Sequence, residues 1–340
     1  MFLVYLFTAH SFTKIYMNKK YRWGIIGAAK ISEKFAEGLK ELPDAICYAI
    51  AARSEERAEA FRQKYGFEKA YGSYEAMLAD QQVDIVYIAT TNNLHFEHTM
   101  MSLEAGKAVL CEKPFASNLS QVEQMIQKAK EKNLFLMEAL WSRFLPTVQS
   151  FKQKMQEGAI GKPLLLEVDF GIQPPYDPKS RQFDPELGGG SIPDIGIYPL
   201  FMAFYLFGKP TSVQVASVAA PTGTDMTTSI LLKHAGGEIS VLTSSFAMRL
   251  ETEAKLFGET GSLRLCRMFH IPTKLMIRKG DNEEQEIPVN LTGNGYNYEA
   301  QEVMECLNRG ETESQGMSLA FSLDLIRLLD EVCEKAKLSF

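Results

Sequence analysis

Four stretches of this sequence carry residue types that packing alone does not call for. "AVLCEKPFA" (108–116) is an apolar run of strand length that ends in Glu112, Lys113 and Pro114. Lysine is seldom buried without a partner, and proline stops a simple continuation of strand or helix. "ATTNNLHFEH" (89–98) gathers hydroxyl, amide and imidazole groups, and "LGGGSIPDIGIYPLF" (187–201) sets Asp194 four residues before Tyr198. Residues four apart share one helical face, and three glycines allow the backbone to approach a ligand closely. A capping aspartate and a half-buried tyrosine would account for the same letters. "RWGIIGAAKIS" (22–32) is an apolar run entering a glycine turn, where backbone N–H groups and a helix N-terminus can meet a pyrophosphate. Measured against G-x-G-x-x-G from Gly27, the later positions are Ala29 and Ser32, small but not glycine.

The elements that must position these groups follow from hydrophobic periodicity. From Arg22 to about Lys132, strand-length apolar runs alternate with helical patterns. The runs are "WGIIG", "AICYAIAAR", "VDIVYIAT", "AVLCEKP" and "LFLMEAL"; helices are expected over Ile31–Leu42, Ser54–Tyr65, Ser73–Asp80, Leu94–Ala105 and Asn118–Lys132. Strands separated by helices at this spacing make a parallel, doubly wound sheet with right-handed crossovers. Ligands of such sheets sit beyond the carboxyl ends of the strands. Thr91, Asn92, Leu94, His95, Glu112 and Lys113 should therefore gather on one edge. After Trp141 a helix near Pro146–Glu157 precedes long alternating segments separated by glycine turns, the pattern of a large, mostly antiparallel sheet. Two helices, around Tyr298–Arg309 and Ser318–Lys337, close the chain. The expected architecture is an α/β chain: a Rossmann-type unit over 21–141, then an α+β unit with an open sheet over 142–340. The open face of that second sheet needs covering, and a second copy of the chain is the expected cover.

The end of the second strand bears on cofactor choice. An acid there would bind a ribose 2′-hydroxyl, whereas arginine accommodates a 2′-phosphate. The chain has "AARSEER", with Arg53 and Ser54 at the strand end and Arg57 one turn on, which favours NADP over NAD. His95 and His98 lack a third ligand at metal-site spacing and read as hydrogen-bonded histidines. Tyr65 and Lys69 match Tyr-x-x-x-Lys by letter only, since Gly66 breaks the helix that motif needs.

Composition narrows the class. With 36 Lys+Arg against 42 Asp+Glu, a net charge of −6 argues against a nucleic-acid or anionic-membrane surface. Five cysteines without C-x-x-C spacing read as reduced thiols of a cytosolic protein. The apolar run 1–9 is too short to span a bilayer and lacks a basic leader, so residues 1–20 are read as an extension, with Met17 the expected start of translation.

"EAGKAVLCEKP", "LFLMEALWSRFLP", "GGGSIPDIGIYP" and "NYEAQEVMECL", in that order, resemble the Gfo/Idh/MocA oxidoreductases from about Arg22 to the C-terminus. Most members carry His where this chain has Tyr198; the tyrosine is that of the dimeric dihydrodiol dehydrogenase branch, which includes NADP-dependent xylose dehydrogenases. The resemblance implies that Lys113 is presented to the substrate and the nicotinamide. Tyr198 is then the expected general acid/base, Lys113 its electrostatic partner or itself the proton carrier, and Asp194 an orienting hydrogen-bond acceptor. A nearby ammonium favours the phenolate over a free pKa of about 10. The turn Gly27, Ala28, Ala29, Lys30 and Ile31 becomes the cofactor cradle, with Arg53, Ser54 and Arg57 at the ribose and Thr91, Asn92, Leu94, His95 and Glu112 along the strand ends. Trp141 and Arg143 look like cofactor contacts at the junction. Trp141 and Phe170 are candidates for an aromatic substrate wall beside Tyr198, although Phe170 also fits the sheet core. The peptide bond before Pro114 is a candidate for the cis state.

The activity this implies is hydride transfer between NADP and a secondary alcohol, a vicinal diol or cyclic aldose. A homodimer through the second sheet is the expected assembly. An NAD-dependent inositol or sugar dehydrogenase is the alternative, disfavoured by Tyr198 in place of His and by Arg53 in place of an acid. A dinucleotide-sensing regulator without turnover would not need Lys113, Asp194 and Tyr198 together. The loop 172–186 follows no pattern; its Arg181 reads as a solvated charge.

Overall fold

The computed structural model describes residues 19–337. Most of the expected 1–20 extension, with Met17, lies outside the described residues. The first sheet contains β1 (Tyr21–Ile26), β2 (Ala45–Ala51), β3 (Lys69–Tyr71), β4 (Ile85–Ile88), β5 (Ala108–Glu112) and β6 (Leu136–Ala139). Its order is β3-β2-β1-β4-β5-β6, with every neighbouring pair parallel. All residues of β4 and β5 are buried, which is why those strands read as unbroken apolar runs rather than alternations. The order reverses between β1 and β4, and that switch opens a crevice at the carboxyl ends of the strands.

The crossover helices are α1 (Lys30–Leu39), α2 (Glu55–Tyr65), α3 (Tyr74–Leu78), α4 (His95–Glu104) and α5 (Leu119–Lys132). Ser54 and Asn118 cap α2 and α5, their side-chain oxygens accepting the N–H groups of Arg57 and Gln121. Gly66 and Asn133 end the same helices in left-handed conformations, at φ 76° and 52°. The first helix ends three residues earlier than its periodicity suggested. Past Leu39 the chain turns tightly, Glu41 and Leu42 donating to the carbonyls three residues back.

The second sheet follows α6 (Pro146–Gln156) and begins with β7 (Pro163–Gly171). A single π-helical turn, Ile192–Gly196, then runs into α7 (Ile197–Phe207). The remaining strands are β8 (Ser212–Ala219), β9 (Asp225–Lys233), β10 (Ile239–Ser245), β11 (Ala254–Gly258), β12 (Gly261–Leu265), β13 (Leu275–Lys279) and β14 (Gln285–Ile287). The order is β14-β13-β12-β11-β7-β10-β9-β8, antiparallel throughout except where β7 pairs with β10. Alternate side chains of β9 and β10 are buried or exposed, so one face packs inward. On the other face Leu231 sits opposite Val241, while Ile239 and Phe257 both pair with Leu165. Leu231, Val241, Ile239 and Phe257 are all exposed.

Two helices end the described chain, α8 (Tyr296–Arg309) and α9 (Leu319–Lys337). They fasten the second unit to the first. Gly38 lets α1 meet α8 closely, since a Cβ there would come within 2.9 Å of the Asn297 nitrogen. Asp330 of α9 accepts the N–H of Leu119 at the start of α5, at 2.8 Å. The two sheets therefore share a helical layer. One described segment, Pro185–Phe207, is apolar and long enough to cross a membrane, but it is 83% buried inside the fold.

Candidate active site

A cavity of about 1130 Å³ lies over the carboxyl ends of β1, β2, β4 and β5 and is closed on the far side by the π-helical turn. That is more room than a drug-sized ligand takes up, and it suits a dinucleotide with a second molecule. The Gly27–Ile31 turn, Arg53, Arg57, Thr91, Asn92, Leu94, His95, Glu112 and Lys113 all line it, as do Asp194 and Tyr198. Residues as far apart in sequence as Gly27 and Lys113 thus face one space because strand ends of a parallel sheet share one edge.

The turn after β1 has the shape that pyrophosphate binding needs. Gly27 adopts φ 102°, and a Cβ there would sit 3.1 Å from the Ala89 carbonyl oxygen. Ser32 stands where a third glycine was absent, and its hydroxyl donates to the Gly27 carbonyl at 2.5 Å. The serine thereby holds the loop by a hydrogen bond. Arg57 bridges back to the Ala28 carbonyl at 3.1 Å, which places its guanidinium beside the turn and next to Arg53 at the end of β2. The side-chain oxygen of Asn92 is buried without a partner, leaving an acceptor ready for an amide donor. Across the crevice, Gly188 approaches so closely that a Cβ would be 2.8 Å from the Asn92 amide nitrogen. These features fit a bound dinucleotide.

The reactive end is built from β5 and the π-helical turn. The Lys113–Pro114 peptide bond is cis. Lys113 Nζ donates to the Asp194 carbonyl oxygen at 2.6 Å and lies 4.9 Å from the centre of the Tyr198 ring. The carboxylate of Asp194 is 3.8 Å from the same Nζ, and its Oδ1 accepts from Arg181 Nη1 at 2.8 Å. Arg181, expected as a solvated charge, is thus paired at the cavity wall, although its side chain is still 56% exposed. Tyr198 is buried, and its hydroxyl accepts from the Trp141 indole N–H at 3.0 Å. Burial, then the charge of Glu112, hold the Tyr198 phenol well above its ordinary pKa, which the indole N–H only partly offsets. Burial and Glu112 thus act against the ionisation that Lys113 is expected to favour.

Four expected contacts lie off the cavity. Ser54 spends its hydroxyl capping α2. Trp141 stacks on Tyr296 with ring centres 4.1 Å apart and reaches the site only through Tyr198. Arg143 is turned away, its guanidinium 4.2 Å from the centre of the Tyr205 ring. Phe170 is buried behind Tyr198, 5.6 Å between ring centres, so it backs the tyrosine rather than walling the substrate.

His95 and His98 are hydrogen-bonded core groups. His95 places its two ring nitrogens against the carbonyls of Pro114 and Thr90, and burial pulls its pKa down to about 4. His98 Nδ1 meets the Thr90 hydroxyl at 3.0 Å. Among the described residues no three His, Cys, Asp or Glu side chains converge as a metal site would require. His270, unremarked in the sequence, packs against Phe170 and Tyr198 with ring centres 4.4 and 5.1 Å away. Burial lowers its pKa to about 3. It comes from a loop with no periodicity, so nothing in the sequence pointed to it. The same holds for Gln182, from the loop that carries Arg181 over the cavity, whereas Gly188 is the first of the three glycines expected to let the backbone approach a ligand.

Comparison with known proteins accords with this geometry. Residues 21–140 match the oxidoreductase family with an NAD-binding Rossmann fold, and residues 148–264 match the GFO/IDH/MocA C-terminal domain. The chain is 35% identical over 328 residues to trans-1,2-dihydrobenzene-1,2-diol dehydrogenase of Xenopus tropicalis, covering 94% of this chain and 99% of that protein. It is 36% identical over 329 residues to the human enzyme of the same name, covering 94% and 98%. Among solved structures, a 3-ketoreductase from Actinomadura kijaniata in complex with NADP and TDP-benzene superposes with a TM-score of 0.83 at 27% identity, over 92% of this chain and 97% of that one. An aldose–aldose oxidoreductase from Caulobacter crescentus shares the fold, with a TM-score of 0.85 at 23% identity over 95% and 99%. The chain belongs to the Gfo/Idh/MocA family and is an NAD(P)-dependent dehydrogenase built on its two-domain fold.

Proposed function

We propose that this chain is an NADP-dependent dehydrogenase that moves a hydride between the nicotinamide and a secondary alcohol of a vicinal diol or cyclic aldose. The observation that carries the reading is the meeting of Lys113 and Tyr198 at one end of a cavity whose other end holds the glycine turn, Arg53 and Arg57. The names of the relatives, diol dehydrogenase and NADP-bound ketoreductase, support the substrate and cofactor classes.

The nicotinamide, when bound, supplies the hydride acceptor or donor. The Tyr198 hydroxyl exchanges the proton of the reacting oxygen, giving it to a carbonyl in reduction and receiving it in oxidation. Lys113 donates a hydrogen bond to that oxygen and favours its anionic character, and Asp194 holds the lysine in place. Trp141 fixes the tyrosine hydroxyl from behind. Arg53 and Arg57 bind the 2′-phosphate, and with it the preference for NADP.

The exposed apolar strip of Leu231, Val241, Ile239 and Phe257 is the surface through which two copies pair. Five free thiols support a cytosolic location. Initial rates with NADP⁺ and NAD⁺ on xylose, glucose, inositol and a trans-dihydrodiol test the reading. Turnover with NADP⁺ on at least one of them is expected. Tight NADPH binding without turnover on any would favour the sensing role.

A further inference from the structure

We propose that Arg181 is a specificity-determining residue: its guanidinium binds the hydroxyl on the carbon next to the reacting one, and so selects a vicinal diol over a simple secondary alcohol. The inference rests on the reading that Lys113 meets the reacting oxygen.

Arg181 and Lys113 flank one carboxylate oxygen. Arg181 Nη1 donates to Asp194 Oδ1 at 2.8 Å, and Lys113 Nζ stands 3.8 Å from the same atom. The two cationic nitrogens are therefore no farther apart than those distances combined, and both residues line the cavity. With a hydrogen bond of about 2.8–3.0 Å at each end, that gap accommodates two oxygens on adjacent carbons. A guanidinium carries five N–H groups in a rigid fork. Among the described residues Arg181 makes one hydrogen bond, to Asp194, and its side chain is half exposed. Donors are thus left free beside the cavity.

The arginine sits on a built turn. Phe183, two residues on, is buried between Tyr176 and Phe246, with ring centres 5.0 and 5.6 Å away. The N–H groups of Phe183 and Asp184 donate to the Ser180 carbonyl at 3.0 and 2.9 Å. Gly189 and Gly190 donate in turn to the carbonyls of Asp184 and Gln182, both at 2.9 Å. A Cβ at Gly189 would lie 2.8 Å from each of those two carbonyl oxygens. The glycine run that leads to Asp194 is thus laced to the turn that carries Arg181. The arginine and its carboxylate come from one hydrogen-bonded unit, which leaves little ordering for substrate binding to do.

The charge balance chooses the group that Arg181 reads. Burial opposes its charge, and the carboxylates of Asp194 and Glu112 outweigh that cost. A guanidinium already balanced in this way gains from a neutral hydroxyl oxygen, whereas a substrate carboxylate would bring another anion up against Asp194. The group on the adjacent carbon is therefore a hydroxyl.

The experiment measures kcat/KM with NADP⁺ for trans-cyclohexane-1,2-diol, cyclohexanol and trans-2-hydroxycyclohexanecarboxylate, in wild type and in Arg181→Met. It also records the rise in thermal midpoint that the diol gives the NADPH-bound protein. Losing Arg181 also frees Asp194 beside Lys113. That disturbance acts on diol and cyclohexanol alike, so the ratio between them isolates the second hydroxyl. Wild type is expected to prefer the diol by about tenfold to a hundredfold, the range for a hydrogen bond to a charged group. In the variant that preference disappears, and the diol no longer raises the midpoint. A ratio untouched by the substitution would overturn the proposal, as would a wild type that prefers the hydroxy acid to the diol. So would a diol that raises the midpoint equally in both proteins. Absence of turnover in the wild type would count against the functional reading alone, and the midpoint shift would then decide the role of Arg181. A diol without effect on the wild-type midpoint in that case would overturn both.

Discussion

The indole N–H of Trp141 donates to the hydroxyl of Tyr198 at 3.0 Å, inside a buried aromatic cluster. That bond pulls the tyrosine pKa down against the rise caused by burial and Glu112. Trp141→Phe keeps the stack on Tyr296 and removes the donor. The expected outcome is an alcohol-oxidation rate about tenfold lower at neutral pH, the worth of one hydrogen bond. The rise of that rate with pH should also move to higher pH. Rate profiles over pH for wild type and variant check both; superimposable profiles would remove Trp141 from the proton path.

The proposed preference for NADP turns on the end of β2. Arg53 and Arg57 line the cavity, and Arg57 is already steered toward the glycine turn by its bond to the Ala28 carbonyl. Replacing both by alanine should raise KM for NADP⁺ by about tenfold or more, since each arginine–phosphate bond is charge-assisted. The KM for NAD⁺ should change little. Equal effects on both dinucleotides would place the 2′-phosphate elsewhere.

How far the sequence disclosed this site depends on which residues are set by regular structure. Lys113 and His95 were placed correctly because a parallel sheet delivers its strand ends to one edge whatever the loops do. Asp194 and Tyr198 share the cavity as expected, but Asp194 sits in a π-turn that runs into α7, and no periodicity reveals the register of that turn. Arg143 and Phe170 lie near the site in the chain, yet their side chains point to Tyr205 and His270. Residue spacing gives the position of a backbone and not the neighbours that win a side chain. His270 and Arg181 come from irregular segments and were legible only in three dimensions. The helical layer of α8 and α9, which ties both sheets together, depends on long-range contacts such as Gly38 with Asn297.

Glu138 gives a stability prediction with a definite sign. It is buried, accepts the Phe115 N–H at 3.1 Å, and burial raises its pKa from 4.5 to about 7. A carboxyl raised in the folded state contributes its stability below the unfolded pKa and loses it as pH climbs through the folded value. The loss therefore falls between about pH 4.5 and 7. Glu138→Gln keeps the acceptor and has no proton to lose. Denaturant unfolding should find the variant more stable by about 1–3 kcal/mol at pH 8 and nearly equal at pH 4.5. Equal stability at pH 8 would show that Glu138 is already neutralised by other means.

The second-sheet surface makes an assembly prediction. Val241 is 39% exposed and sits opposite Leu231 at the centre of the apolar strip. Val241→Asp places an unpaired charge in any interface formed there and leaves the core alone. Sedimentation equilibrium should show a dimer for wild type and a monomer for the variant. A dimer in both would move the interface to another face.

The role proposed for Tyr198 is to carry the proton of the reacting oxygen in an NADP-dependent dehydrogenase. Reduced-nicotinamide absorbance with wild type and Tyr198→Phe, on the alcohol that wild type turns over fastest, tests it most directly. The expected kcat of the variant is lower by about 10²–10⁴-fold, with NADPH affinity unchanged. A variant that turns over at the wild-type rate would contradict it and leave Lys113 as the proton carrier.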